Sequence, residues 1–301
     1  MRSRVTRRIA AAWSVVALLA LLVVAAPAHA APRPKANKPE SVATGTPSSA
    51  PADVNDLSLR VTALQTLHDF DLSVDQLRAL RALTPGVADA RQRSAAKSIP
   101  KLAPALRELH DELLKPDAEH LTELSSRVDE LLDDKNVDLD DGVRATDAAR
   151  AKAPEFARRL KSSQIAAYLA DHAAEVSDPV EQMMGALAEA REEDADDYDD
   201  ADAQDMADDV GRLVAGRDAA KVKQISTQVL AWFKSARALK DEEFAAKQES
   251  LEQAAGRIVG NVNAIDVLSH WLDGEIAELL ANPQLPAAID ATLAARAPKG
   301  N

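Results

Sequence analysis

From Asp53 onward the apolar side chains recur three and four residues apart, and this spacing restricts the chain to helices. Val54, Leu57, Val61, Leu64 and Leu67 form one stripe. Leu121, Leu124, Val128 and Leu131 form another, with Glu123, Arg127, Asp129 and Glu130 turned away from it. No segment alternates in twos, and no run of β-branched and aromatic residues lies between turn residues, so no strand is expected. The prediction is an all-α multi-helix bundle of short and medium helices, following a disordered N-terminal segment. Because only 3% of residues are aromatic, the core must be built from Leu, Val, Ile and Ala.

Helix punctuation supports this reading. Ser73-Val74-Asp75-Gln76 is a capping box, and Thr84-Pro85-Gly86 ends the short helix it starts. Ser177-Asp178-Pro179 supplies a cap and a proline for a later helix, Gly216 can close one and Asp218 open the next, and Asn282-Pro283 stops the last but one. The pattern predicts helices near 54–69, 73–83, 87–98, 104–115, 118–134, 140–151, 155–161, 163–175, 179–194, 197–215, 218–239, 242–259, 264–281 and 287–296. Pro100 and Pro104 either kink a helix or separate two.

The N-terminus reads as an export signal. Arg2, Arg4, Arg7 and Arg8 precede an apolar run from Ile9 to Ala26, and Pro27-Ala28-His29-Ala30 supplies small residues at the positions a signal peptidase requires. Residues 1–30 are therefore expected to be a signal peptide cut after Ala30; an uncleaved anchor is the alternative, because the run reaches the lower limit of a spanning helix. Thr6-Arg7-Arg8-Ile9 begins like a twin-arginine signal, but the alanines that follow do not continue it. Residues 31–52 hold five prolines among Ala, Ser, Thr and Lys, with Val42 their only larger apolar side chain. Such a segment buries too little to offset its ordering entropy and is expected to be a disordered linker. Beyond it, 53–160 reads as an N-terminal helical region with short helices, and 161–297 as a C-terminal helical domain with longer stripes and most of the large aromatics. One continuous helical domain is the alternative.

The chain has no cysteine, which excludes a disulfide scaffold and thiolate-ligated metal sites. Its formal net charge is −13; loss of residues 1–30 takes four arginines and no acid, leaving 32 bases against 49 acids and a balance of −17. That field repels nucleic acid and anionic membrane surfaces and attracts cations or cationic proteins and peptides. The acids concentrate between Glu189 and Asp209, opposed only by Arg191. Asp194, Asp196, Asp197, Asp199, Asp200 and Asp202 form the candidate metal site, a low-affinity sink for calcium or magnesium, since hard cations want several carboxylates. A solvated acidic face explains the same residues.

Other chemistry finds no complete residue set. Asp134 to Ala145 resembles a calcium loop at three positions, but Leu139 stands where glycine should turn the chain and Ala145 where a bidentate glutamate should close it. No histidine belongs to HExxH or ExxH, although Asp117 with His120 and Asp266 with His270 have helical pair spacing. No serine sits in GxSxG. Gly211 to Asp218 has the glycine spacing of a phosphate loop, yet Arg217-Asp218 replaces Lys-Ser/Thr and no strand precedes it, so it reads as a helix end. Trp232, Phe233 and Trp271 lie on apolar stripes and are expected in the core.

Leu72-Ser73-Val74-Asp75-Gln76 resembles the LTxxQ motif of Spy-type periplasmic helical proteins, with Ser for Thr, and Leu160-Lys161-Ser162-Ser163-Gln164 looks like a degraded second copy. The resemblance implies an α-helical protein of a bacterial envelope whose family members protect unfolding clients or respond to envelope stress and metals. With no catalytic set, the expectation is an exported, non-enzymatic, periplasmic or secreted protein that binds other proteins in a holdase-like manner. The alternative is divalent-cation binding by the 189–209 cluster.

Overall fold

The computed structural model describes residues 53–90, 101–115, 117–133, 143–172, 176, 178–192 and 200–297. The expected signal peptide and linker, residues 1–52, lie outside them. Among the described residues there are twelve helices, against the fourteen expected, and no strand; the all-α class is the one the periodicity predicts. None of these helices is long and apolar enough to cross a membrane.

The helices are α1 (Val54–Asp69), α2 (Val74–Leu83), α3 (Leu102–Leu113), α4 (Leu121–Asp133), α5 (Asp147–Ala157), α6 (Ser162–Asp171), α7 (Pro179–Glu192), α8 (Asp200–Ala215), α9 (Ala219–Arg237), α10 (Asp241–Val259), α11 (Ala264–Ala281) and α12 (Leu285–Ala295). They form two compact units. Unit 1 comprises Met1–Ala173 with Ala277–Asn301, and unit 2 comprises Ala174–Ile276. This division differs from the change of texture near residue 161. Helix α6 goes with the helices before it, and the chain end returns to unit 1, because both make specific polar contacts there that apolar spacing does not encode.

In unit 1, α1 packs on α3 and α12, α3 on α4, and α2 on α12 and α5. Leu57, Val61, Leu64 and Leu67 are buried as the stripe requires, each removal from water contributing about 1.5–3 kcal/mol. Asp53 caps α1 by accepting from the Asn55 and Asp56 amides at 2.9 and 3.2 Å. In unit 2, α8 and α9 form the most extensive pair, α7 packs against both, and α10 packs on α9 and α7. Met183, Leu187, Val210, Val229, Trp232 and Phe233 fill this core, and the Trp232 Nε1–H donates to the Leu251 carbonyl at 3.2 Å.

Several boundaries differ from the sequence expectation, α5 for instance beginning at Asp147 rather than near 140, and three of them have a visible cause. Residues 87–90 are not helical: the Val87 carbonyl accepts from Thr146 Oγ1 at 2.8 Å, and Asp89 pairs with the Ala281 carbonyl through its amide at 2.7 Å and with the Arg144 amide through Oδ2 at 3.3 Å. These tertiary bonds replace a helical ladder. The second difference is at Pro154, which separates no helices; α5 runs through it, with Ala153, Pro154 and Phe156 buried together. That burial, near the helix end, offsets the lost ladder bond. Thirdly, α4 begins at Leu121 rather than near 118, because the buried Glu112 carboxylate accepts from the Glu119 amide at 3.2 Å and from Lys115 Nζ at 2.6 Å, holding 117–119 outside the helix. Pro104 falls in the first turn of α3, where its missing N–H costs nothing.

Candidate functional site: two glutamine loops that face each other

The two motif-like stretches are both helix starts, and unit 1 brings them together. Ser73 Oγ accepts from the Gln76 amide at 3.3 Å while Gln76 Oε1 accepts from the Ser73 amide at 2.9 Å, completing the capping box. At the second stretch lysine offers no acceptor, and only the return bond survives: the Lys161 amide donates to Gln164 Oε1 at 2.9 Å. The leucine and the glutamine are the parts of the motif that both copies keep.

Each glutamine then reaches across to the other loop. Gln76 Nε2 donates to the Arg159 carbonyl and to Gln164 Oε1, both at 2.8 Å. Gln164 Nε2 donates to the Asp71 carbonyl at 2.8 Å, the Phe70 carbonyl at 2.9 Å and Gln76 Oε1 at 3.2 Å. Asp71 and Arg159 occupy equivalent places, each just before the motif leucine. The loops repeat at an offset of 88 residues in other respects. Helices α1 and α5 end at Asp69 and Ala157, α2 and α6 begin at Val74 and Ser162 with ten residues each, and the Asp71 and Arg159 amides donate to the His68 and Phe156 carbonyls at 2.8 Å. Two helix–loop–helix segments are thus joined in a pseudo-two-fold manner through their carboxamides.

The copies are not identical. Asp71 adopts a left-handed conformation, φ 44°, which aspartate tolerates better than most residues, and Arg159 does not. Beside the first loop, the Phe70 ring stacks on Tyr168 at 4.0 Å between centroids, and Tyr168 stacks on His172 at 4.1 Å. Tyr168 stands where the first copy has Leu80. The chain end adds a further contact: the Arg296 guanidinium donates to the Leu72 carbonyl.

A carboxamide neither titrates near neutrality nor attacks an electrophile. What this arrangement does is fix geometry, with both amide ends of both glutamines engaged by main chain and by each other. Sequence reasoning found the two stretches but not their pairing; the 88-residue repeat, extended beyond the motif to both flanking helices, is the signal that contains it.

The candidate metal residues fare differently. Asp194, Asp196, Asp197 and Asp199 lie outside the described residues, as does most of the 134–145 loop; Asp200 begins α8 and Asp202 is exposed on it. Farther along α8, Gln204 Nε2 donates to Asp208 Oδ1 at 3.0 Å and Arg212 pairs with Asp209 at 2.6 Å. Among the described residues no group of three or more His, Asp or Glu side chains is placed to hold a metal ion. The histidine pairs read from spacing do not form either. Asp266 bonds with Asn263 at the start of α11, and His270 Nδ1 lies 2.9 Å from the Leu213 carbonyl at the end of α8; Asp117 and His120 sit in a loop.

The 211–218 stretch is a helix end, as read. Gly216 has φ +57° after α8, and Asp218 caps α9 by accepting from the Lys221 amide at 3.1 Å. Gly211 marks the close approach of α8 to α9, since a Cβ there would lie 2.6 Å from Ser226 Oγ.

Arg191, the one base in the acidic run, is a second polar centre that sequence reasoning missed. Its guanidinium donates to the carbonyls of Ala236, Arg237 and Leu239 at 3.3, 3.0 and 2.7 Å, pairs with Asp241 at 2.6 Å and lies over the Phe244 ring at 4.3 Å. It closes the C-terminus of α9 and holds the start of α10. No family model, no curated protein and no solved structure matches the chain.

Proposed function

We propose that the chain is an exported, non-enzymatic α-helical protein of a bacterial envelope that binds other proteins in a holdase-like manner. The observation that carries this reading is the mutual hydrogen bonding of Gln76 and Gln164, which joins the LTxxQ-like stretch to its second copy as matching halves of one unit. Paired glutamine loops of this kind agree with the resemblance to Spy-type helical proteins and leave helix faces, rather than a reactive centre, as the working surface.

Charge selects the client. The sequence is strongly acidic, and Ile265, at 58% exposure, is the large apolar side chain that stands out on the surface of the described residues. Capture therefore runs through carboxylate-bearing helix faces, and the preferred clients are cationic. Light scattering of an aggregating basic client, with and without the purified mature chain, tests the reading. Suppression that weakens between low and high salt supports it; no suppression at several-fold molar excess overturns it.

A further inference from the structure

We propose that residues 277–297 are a closing strap, without which the first helix–loop–helix of unit 1 cannot reach its native packing. The segment touches that supersecondary element from end to end. Asn282 Nδ2 donates to the Leu59 carbonyl in α1 at 2.9 Å, and Gln284 Oε1 accepts from the buried Arg60 at 2.9 and 3.3 Å. Arg296 holds the Leu72 carbonyl in the glutamine loop, Asp290 pairs with Arg81 of α2 at 3.2 Å, and the Ala281 carbonyl accepts from the Asp89 amide beyond it. Leu279, Leu280, Leu285, Ala288 and Ile289 are buried along the same segment, and α12 packs on both α1 and α2.

Arg60 shows one cost of losing the strap. Arg60 is 7% exposed and burial lowers its pKa, yet an arginine stays cationic at neutral pH, and its guanidinium takes Gln284 as a hydrogen-bond acceptor. Without the strap, α1 would leave this group short of that acceptor and expose the apolar face that α12 covers. The partners are some 224 residues apart in sequence. At synthesis rates of about 5–20 residues per second, α1 and α2 wait roughly 10–40 s for the strap. During that interval unit 1 stays open. In a chain exported N-terminus first, as the proposed function holds, this delay keeps the leading part able to thread.

Native-state hydrogen exchange on the full mature chain tests the strap independently of any client. In the wild type, the protected amides of α1, α2 and α12 should open together, with one shared dependence on urea. In the full chain carrying Asn282→Ala with Arg296→Ala, exchange in α1 and α2 should accelerate at least tenfold along with α12, while α8 and α9 keep their rates. Acceleration confined to α12, or wild-type α12 opening well before α1 and α2, would overturn the proposal. A variant that fails to fold returns the decision to the wild-type measurement. Because client capture is not read out, failure here is distinguishable from failure of the holdase reading.

Discussion

Gln76 and Gln164 hold each other's amide groups at 2.8 and 3.2 Å, and each also binds the carbonyl that precedes the other's motif leucine. Glutamine is required here for both of its ends. Gln164→Glu keeps size and shape but turns an amino group facing the Phe70 and Asp71 carbonyls into an oxygen. The expected cost is on the order of 3 kcal/mol near neutral pH, because two carbonyls lose a donor and meet a charge. Urea unfolding of variant and wild type across pH checks this. The gap should narrow at acid pH, where a protonated carboxyl regains one donor.

Arg191 supplies donors to three carbonyls at the end of α9 and an ion pair to Asp241, with its side chain 11% exposed. Lysine cannot reproduce a planar fork spanning four acceptors. Arg191→Ala should destabilise unit 2 by about 2–3 kcal/mol, and Arg191→Lys should recover less than half of that loss. Thermal or urea unfolding followed by Trp232 fluorescence reports it, since that ring sits in the same core.

The Glu112 carboxyl lies below its ordinary pKa of 4.5, chiefly because Lys115 donates to it, and the main chain of Glu119 and His120 adds to the effect. A group with a depressed folded pKa stabilises fully above its unfolded value and loses that contribution as the pH falls through the folded one. The 117–120 loop should therefore loosen only in acid, below about the ordinary carboxylate range. Exchange of the Glu119 amide, followed from pH 6 downward and corrected for intrinsic rates, should show this step. Glu112→Gln should remove it.

Gly211 lies where α8 meets α9, and a methyl group there would come within 2.6 Å of Ser226 Oγ and 2.9 Å of the Val222 carbonyl. Gly211→Ala should cost about 1–3 kcal/mol through forced separation of the two helices. Adding Ser226→Ala should restore part of the loss but not all, because the Val222 carbonyl cannot be removed. Full rescue would mean that the helices are held apart by the serine alone.

The elements that local chemistry specifies were legible in the sequence. The α1 stripe, the Ser73 box, the Asp218 cap and the stop at Asn282 each need only residues within a few positions. Where distant partners decide, the pattern misleads. Val87 looks like the start of a helix until Thr146 and Ala281 take its segment's hydrogen bonds, and Pro154 looks like a break although α5 runs through it and buries it. The candidate site shows the same split. The two LTxxQ-like stretches were found by inspection, but their meeting depends on α1 and α5 delivering both loops to one place. Arg191 was visible only as an exception in an acidic run, because its acceptors are main-chain carbonyls and carry no sequence signature.

A double-mutant cycle on Gln76 and Gln164 tests most directly whether the two loops are one structure. Gln76→Ala, Gln164→Ala and the double variant would be compared by urea unfolding of the mature chain. Each single change should cost about 1–3 kcal/mol, and the double change clearly less than their sum, with a coupling of at least 1 kcal/mol. Costs that add within about 0.3 kcal/mol would contradict the pairing.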